Sequence, residues 1–222
     1  MPKIVESINI AGVNLDIYEG PIGVSCSGGA DSSILLYNLM KHKKDDVIHI
    51  FTTGNNQRNR RNVAVAMQVV ERCIELTGNS NIEHHISYCD IQSFETLFPK
   101  LGFYLVNNIV EIIYTGITEN PPQDITEKFI HNISEIDRNP GEDKPLVRKN
   151  GTFYTPWTNV NKSVIADMYN EDNLINDLFS LTRSCEYDPT SEFWDDIEDP
   201  GLGHCGKCWW CEEREWAFGR LK

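Results

Sequence analysis

Pro21-Ile22-Gly23-Val24-Ser25-Cys26-Ser27-Gly28-Gly29-Ala30-Asp31-Ser32-Ser33-Ile34-Leu35-Leu36 is the stretch that decides the fold of this 222-residue chain. A short apolar run meets a Ser/Gly loop and passes directly into a longer apolar run, so the stretch reads as strand, tight loop, helix. Two adjacent glycines allow a sharp turn without Cβ clashes. The loop N–H groups and the positive end of the helix dipole then converge on one point, which favours a phosphate. Ser27, Ser32 and Ser33 can add hydroxyl donors there. Asp31 is the odd member, because a carboxylate repels phosphates unless a cation lies between; Mg²⁺, a hard oxygen-seeking ion, resolves the conflict. The loop is not a Walker A sequence, which has a longer spacing and a Lys before its Ser/Thr. The plain structural alternative is a Ser/Gly turn with Ser or Asp capping a helix.

Working outward, Ile8, Ile10, Val13, Leu15 and Ile17 alternate loosely and predict a leading hairpin. Ile22–Cys26 is the first core strand, and the helix after the loop runs to about Lys43. Val47–Phe51 is a second strand. A helix follows over about Arg60–Leu76, with Val63, Met67, Val70 and Ile74 as its apolar stripe and Gly78 as its stop. Ile82–Ser87 reads as a third strand, residues 93–108 as a helical region, and Ile109–Thr115 as a fourth strand ending at Gly116. The polar stretch Gly141–Asn150 reads as an exposed loop and Ser163–Tyr169 as a short helix. This alternation predicts an α/β, Rossmann-like parallel sheet with helices on both faces. Ligands of such sheets bind beyond the carboxyl ends of the strands. The glycine loop, Thr52-Thr53-Gly54 and Gly116-Ile117-Thr118 all fall at such ends and predict one shared site, with Gly54 and Gly116 permitting close backbone approach.

Twenty Lys and Arg stand against 33 Asp and Glu, a net charge of −13. Direct nucleic-acid binding, which needs many basic contacts to phosphate, is disfavoured, and a small-molecule substrate fits better. Much of the acid crowds Asp188, Glu192, Asp195, Asp196, Glu198 and Asp199, which reads as a solvated loop. No apolar run reaches transmembrane length, and the N-terminal residues lack the apolar core of a signal peptide. A cytoplasmic protein with no membrane partner is expected.

Seven cysteines are present, and Cys205, Cys208 and Cys211 form a C-x2-C-x2-C run. Cys185 is the natural fourth ligand. Four thiolates suit a closed, structural tetrahedral Zn²⁺ site, with an iron–sulfur cluster as the rival. His204 could replace one thiol and otherwise reads as a surface histidine. Cys73 reads as core. Cys26 reads as buried, with a nucleophile as the alternative. The pattern predicts two parts, a phosphate-binding α/β domain over residues 1–180 and a four-cysteine zinc segment over residues 181–222.

The loop resembles the SGGxDS loop of the PP-loop ATP pyrophosphatases. The tail, Ser184-Cys185 then His204-Cys205-Gly206-Lys207-Cys208-Trp209-Trp210-Cys211 with Arg214 and Ala217-Phe218, resembles the zinc region of the 7-cyano-7-deazaguanine synthase family. Thr155-Pro156-Trp157 with Lys162, Gly54 with Gln57-Arg58, and Glu127-Lys128-Phe129-Ile130 are similar to further segments of that family. The resemblance implies an adenine nucleotide alpha hydrolase-like fold and the use of ATP. It also implies adenylation of the carboxylate of 7-carboxy-7-deazaguanine, displacement of AMP by ammonia to give the amide, and a second activation that yields the nitrile. Ser27, Gly28, Gly29, Asp31, Ser32 and, more weakly, Ser33 would hold pyrophosphate and Mg²⁺, with Gly54 and Gly116 beside them. Asp31 and Lys162 would be catalytic; Lys162 reads equally as a solvated lysine at a helix start. Gln57 and Arg58 would meet the substrate, or lie exposed at a helix start. A homodimer is implied.

Thr118-Glu119-Asn120-Pro121-Pro122-Gln123-Asp124-Ile125-Thr126 departs from the family, which carries a Tyr and a Cys-Arg pair there. The alternative is therefore a PP-loop enzyme with another product or substrate: an amide only, a deazaguanine conjugate, or a thiolated nucleotide. A non-enzymatic zinc module would leave the glycine–Asp loop unexplained.

Overall fold

Ile22-Gly23-Val24-Ser25 is strand β3 of a six-stranded sheet, and every element that builds the candidate site is placed relative to it. The computed structural model describes residues 3–55, 61–89, 101, 103–129, 138, 144–148, 151–185 and 203–221. Gln57, Arg58, the first part of the helical region expected from Ser93, and the acidic stretch Asp188–Asp199 lie outside them.

The leading hairpin is formed by β1 (Ile4–Ile10) and β2 (Val13–Tyr18), antiparallel about Ala11-Gly12, both at positive φ. Its inner side, Ile10, Leu15, Ile17 and Tyr18, is buried on the core. Tyr114 fastens it there: its hydroxyl donates to Asp16 O and accepts from Tyr18 N–H. The main elements continue with α1 (Ala30–His42), β4 (Ile48–Asn55), α2 (Arg61–Thr77), β5 (Ile82–Cys89), β6 (Ile112–Tyr114) and α3 (Gln123–Thr126). They end with β7 (Leu146–Arg148), β8 (Gly151–Tyr154), α4 (Lys162–Glu171), α5 (Leu178–Leu181) and α6 (Trp209–Phe218).

The sheet runs β5-β4-β3-β6-β8-β7, the first five strands parallel and β7 antiparallel at the edge. The chain moves outward from β3 through β4 to β5, then returns to place β6 on the other side of β3. That reversal leaves a crevice between the carboxyl ends of β3 and β6, where open α/β sheets bind ligands.

α1 is apolar nearly all round because it is covered on all sides. Ile34, Leu35, Leu36, Leu39 and Met40 are fully buried, each contributing about 1.5–3 kcal/mol of apolar burial. α2 is one-sided. Its buried stripe is Val63, Val65, Ala66, Val69, Val70 and Cys73, whereas Met67 is exposed, so the stripe lies one step round the helix from the expected one. Gly78, at positive φ, ends α2 with its N–H on Ile74 O. On the opposite face Phe51, Ile113 and Phe153 pack under Leu101, Leu105 and Val110, and residues 103–106 are helical.

Three sequence expectations are corrected. β4 continues through Thr52-Thr53-Gly54, so Gly54 lies inside a strand rather than beyond its end. β6 begins only at Ile112, because Ile109 and Val110 turn their N–H groups back to Tyr104 O and close the preceding helical segment. Part of the polar Gly141–Asn150 stretch forms β7, paired with β8.

Candidate functional site

The loop Ser27–Gly29 leaves the end of β3 and delivers the chain into α1 with Gly29 at the cap position. Among the described residues no side chain caps that helix, so the expected Ser or Asp cap is not formed. Ser32 and Ser33 instead donate their hydroxyls to Gly29 O, at 3.2 and 2.7 Å, while Ser27 N–H donates to Ser32 Oγ at 3.2 Å. The serines thus shape the loop from within. The N–H groups of the first turn have no intrahelical acceptors and face outward. Gly28 sits at φ +80°, and a Cβ there would approach Val65 and the backbone N of Ala66 to 2.8–2.9 Å. A side chain is excluded by both conformation and space. Gly28 O accepts the backbone N–H of Arg183 at 2.9 Å, which ties the loop to the segment leading into Cys185.

Gly116, just past β6, lies against the same loop. A Cβ there would meet Ser32 N at 2.8 Å and the Asp31 carbonyl carbon at 2.9 Å. At Gly54 a Cβ would meet Val63 and Tyr88 side chains at 2.7 and 2.9 Å. In both places the close neighbour is the chain itself: the loop and α1 at Gly116, α2 and β5 at Gly54.

Lys162 is not a solvated lysine. It starts α4 with its side chain only 4% exposed, its Nζ 3.2 Å from Asp31 Oδ2 and 2.9 Å from Glu213 Oε2. Glu213, fully buried on α6, also pairs with Arg138. Arg138 donates in addition to Thr118 Oγ1 and Asn120 Oδ1, both at 3.0 Å, and lies over the Trp209 ring. Two carboxylates and two cations therefore alternate from the loop to the cysteine-bearing helix. Burial raises the Asp31 carboxyl from its ordinary range, and the Lys162 charge only partly offsets this. Burial alone would lower the Lys162 ammonium, but Asp31 and Glu213 outweigh it and hold it above its usual value. Asp31 Oδ1 is buried with no hydrogen-bond partner among the described residues. A buried, unpartnered carboxylate oxygen is costly and matches a hard cation, so the residues present fit Mg²⁺.

The network borders a cavity of about 210 Å³ at the crevice between β3 and β6. Ser27, Asp31, Gly116 and Lys162 contribute from the α/β core, Ser184 from just before Cys185 and Trp210 from between Cys208 and Cys211. Ser27, Gly28, Gly29, Asp31, Ser32, Ser33, Gly116 and Lys162 are thus brought together. Gly54 belongs to the neighbouring strand.

Cys185, Cys205, Cys208 and Cys211 converge, all buried, and can hold a metal. Sγ of Cys205 lies 3.8 Å from that of Cys211, and Sγ of Cys208 lies 3.9 Å from that of Cys185. His204 is not merely on the surface: its Nε2 accepts the Ser184 N–H and braces the two cysteine segments. Arg214, with no exposed area, donates to Phe179 O, Thr182 O, Leu221 O and Ser184 Oγ and lies 3.8 Å from the Phe179 ring centre. Burial lowers it to about 10, so it stays charged at neutral pH. Cys26 is buried and its thiol is pushed up to about 11 by that burial, which leaves little thiolate for a nucleophile. Cys73 is core, as expected.

Glu213, Arg138, Arg183 and Arg214 complete the site without having been singled out as functional. For Glu213 and Arg214 a signal existed, a run of four charged residues, Glu212 to Glu215, directly after the cysteine run. For Arg138, one basic residue in a long aperiodic stretch, none did.

No family model matches the chain, and no curated protein matches it in sequence. Among solved structures it is similar to the U34-tRNA thiolase NcsA from Methanococcus maripaludis with its 4Fe–4S cluster, at 14% identity and a TM-score of 0.47, over 90% of this chain and 70% of that one. It is also similar to NMN synthetase from Francisella tularensis, at 15% identity and a TM-score of 0.42, over 90% of this chain and 84% of that one. No helix among the described residues is long and apolar enough to cross a membrane.

Proposed function

We propose that this chain is an ATP-dependent enzyme of the PP-loop kind. It binds Mg·ATP at Ser27–Ser33 and cleaves it between the α and β phosphates to activate a carboxylate. The buried, unpartnered Oδ1 of Asp31, beside an uncapped helix start and a cavity, carries the reading. The loop N–H groups and the Ser27 hydroxyl would hold the pyrophosphate, with Ser32 and Ser33 shaping the loop behind them; Asp31 would hold Mg²⁺, and Lys162 would move its charge from Asp31 and Glu213 toward the phosphates. Mg²⁺ supplies neutralisation of charge on the departing pyrophosphate. The residues otherwise position reactants in the crevice.

The substrate we propose is 7-carboxy-7-deazaguanine. Its carboxylate attacks the α-phosphorus and releases pyrophosphate, and ammonia displaces AMP to give the amide. A second ATP activates the amide oxygen, and loss of AMP leaves 7-cyano-7-deazaguanine. The four-cysteine centre holds Zn²⁺ in this reading. Sulfurs about 3.8 Å apart are the edges of a tetrahedron with bonds of about 2.3 Å, whereas an iron–sulfur cluster needs its four thiolates farther apart. A specific observation favours a second reading. The altered Thr118–Thr126 stretch is bound by Arg138 at the wall of the cavity, so the same ATP chemistry would serve a different or larger carboxylate.

Mass spectrometry of products from ATP, Mg²⁺, ammonium and 7-carboxy-7-deazaguanine tests the assignment. Nitrile supports the first reading, while amide alone, or AMP and pyrophosphate without a deazaguanine product, supports the second. Asp31→Asn is expected to slow pyrophosphate release about 100-fold or more with the fold intact. Full activity in that variant sinks the ATP assignment.

A further inference from the structure

His49 on β4 and Glu83 and His85 on β5 bring three ligand atoms to one point, on the sheet face opposite α1 and α2. In the parallel register His49 stands beside Glu83 and Phe51 beside His85, so the three side chains project to the same face. His49 Nδ1 is 3.1 Å from His85 Nε2 and 3.4 Å from Glu83 Oε2, and His85 Nε2 is 3.6 Å from that same oxygen. Nitrogen and oxygen ligands about 2.0–2.2 Å from one tetrahedral ion are spaced by about 3.3–3.5 Å. The triangle therefore has the size of one face of such a coordination shell.

The surroundings support the same conclusion. Tyr104 OH lies 3.1 Å from His85 Nδ1, the ring nitrogen left over, where its oxygen can accept an Nδ1–H and so leave Nε2 to meet an ion. The His49 side chain is 7% exposed and His85 26%, while Glu83 at 59% lies at the rim, so the cluster is anchored inside and open to water on one side. His85 and Tyr104 also line a cavity of about 240 Å³. Nothing in the proposed ATP chemistry uses these residues.

We propose that His49, Glu83 and His85 form a second metal site, binding one divalent cation of borderline character through two imidazoles and a carboxylate. Zn²⁺ is the best-fitting ion, because it accepts this donor set and imposes no geometry beyond four-coordination. Water fills the fourth position. The site is independent of the four cysteines and of the nucleotide loop.

The test is zinc content of the full-length protein after loading with Zn²⁺ and exhaustive dialysis, compared with His85→Ala and Glu83→Gln prepared identically. The wild-type chain is expected to retain one equivalent more than either variant. Glu83 is largely exposed, so Glu83→Gln keeps the comparison valid if His85→Ala does not fold. Co²⁺ loading is expected to add a visible band without sulfur charge-transfer character that both variants lack, and Tyr104→Phe should weaken this equivalent about tenfold. Equal retained zinc in the wild type and Glu83→Gln overturns the site, whatever metal the cysteines hold.

Discussion

At Gly116 the missing side chain is a condition of the site's shape. The neighbours at 2.8–2.9 Å are backbone atoms of Asp31 and Ser32, which cannot swing aside as a side-chain tip could. Gly116→Ala is therefore expected to cost about 1–3 kcal/mol in urea unfolding and to weaken the proposed nucleotide binding, because relief comes only by moving the first turn of α1. The sequence shows a glycine after a strand and so suggests close approach; it does not show that the approaching group is the loop itself. Lys162 has the same character. A lysine at a helix start is ordinarily solvated, and only the fold reveals that two carboxylates from opposite ends of the chain meet it. Asp31 was legible because its charge conflicts with its surroundings in the linear sequence. Glu213 was not, because its partners are supplied by the fold alone.

At the scale of elements, what was legible followed period and length. β3, α1, α2 and the leading hairpin carry strong apolar patterns between glycine signals, and the structure has them. β7 and β8 escaped notice because strands of three and four residues are too short to show a period; β7 is the edge strand, with Leu146 36% exposed, while β8 lies inside the sheet and buries Phe153 and Tyr154. α5 is a four-residue helix held from outside: Arg72 on α2 donates through Nε and Nη2 to both oxygens of Asp177, just before α5. Those hydrogen bonds hold the Asp177 carboxyl below its usual range. A depressed folded-state value means that the clip stabilises at pH above the ordinary carboxylate value of about 4, and that the contribution is lost as pH falls through the lower folded value. Asp177→Asn should lower the melting temperature by a constant amount above about pH 5, and the difference should close toward about pH 2. A difference that persists in acid would assign the effect to packing.

For the molecule as a whole, the consequential feature is the bridge from the loop to the four-cysteine cluster. Asp31, Lys162 and Glu213 run from α1 through α4 to α6, and α6 begins just after Cys208. A network of this kind tolerates loss of a partner poorly, since it leaves a buried charge uncompensated. Removing the metal with a strong chelator is expected to lower the melting temperature and, by freeing α6, to weaken binding of a fluorescent ATP analogue in parallel. Unchanged nucleotide affinity in the metal-free protein would separate the two sites. The sequence made each end of this bridge recognisable, the loop by its glycines and the tail by its cysteines, because both use residue types whose chemistry is rare elsewhere. The middle was silent, since ordinary Lys, Glu and Arg acquire meaning only from their neighbours in space.

The hydrogen bond from Arg183 N–H to Gly28 O sets an order of events in the life of the chain. Gly28 is translated well before Arg183, so one of the carbonyls that shape the loop finds its donor only once the intervening elements have left the ribosome. Contacts of such long sequence separation form late. A nascent chain stalled before Arg183 would contain the whole glycine loop and still lack its finished form, so competence to take up nucleotide should arrive only with the cysteine-bearing end of the polypeptide.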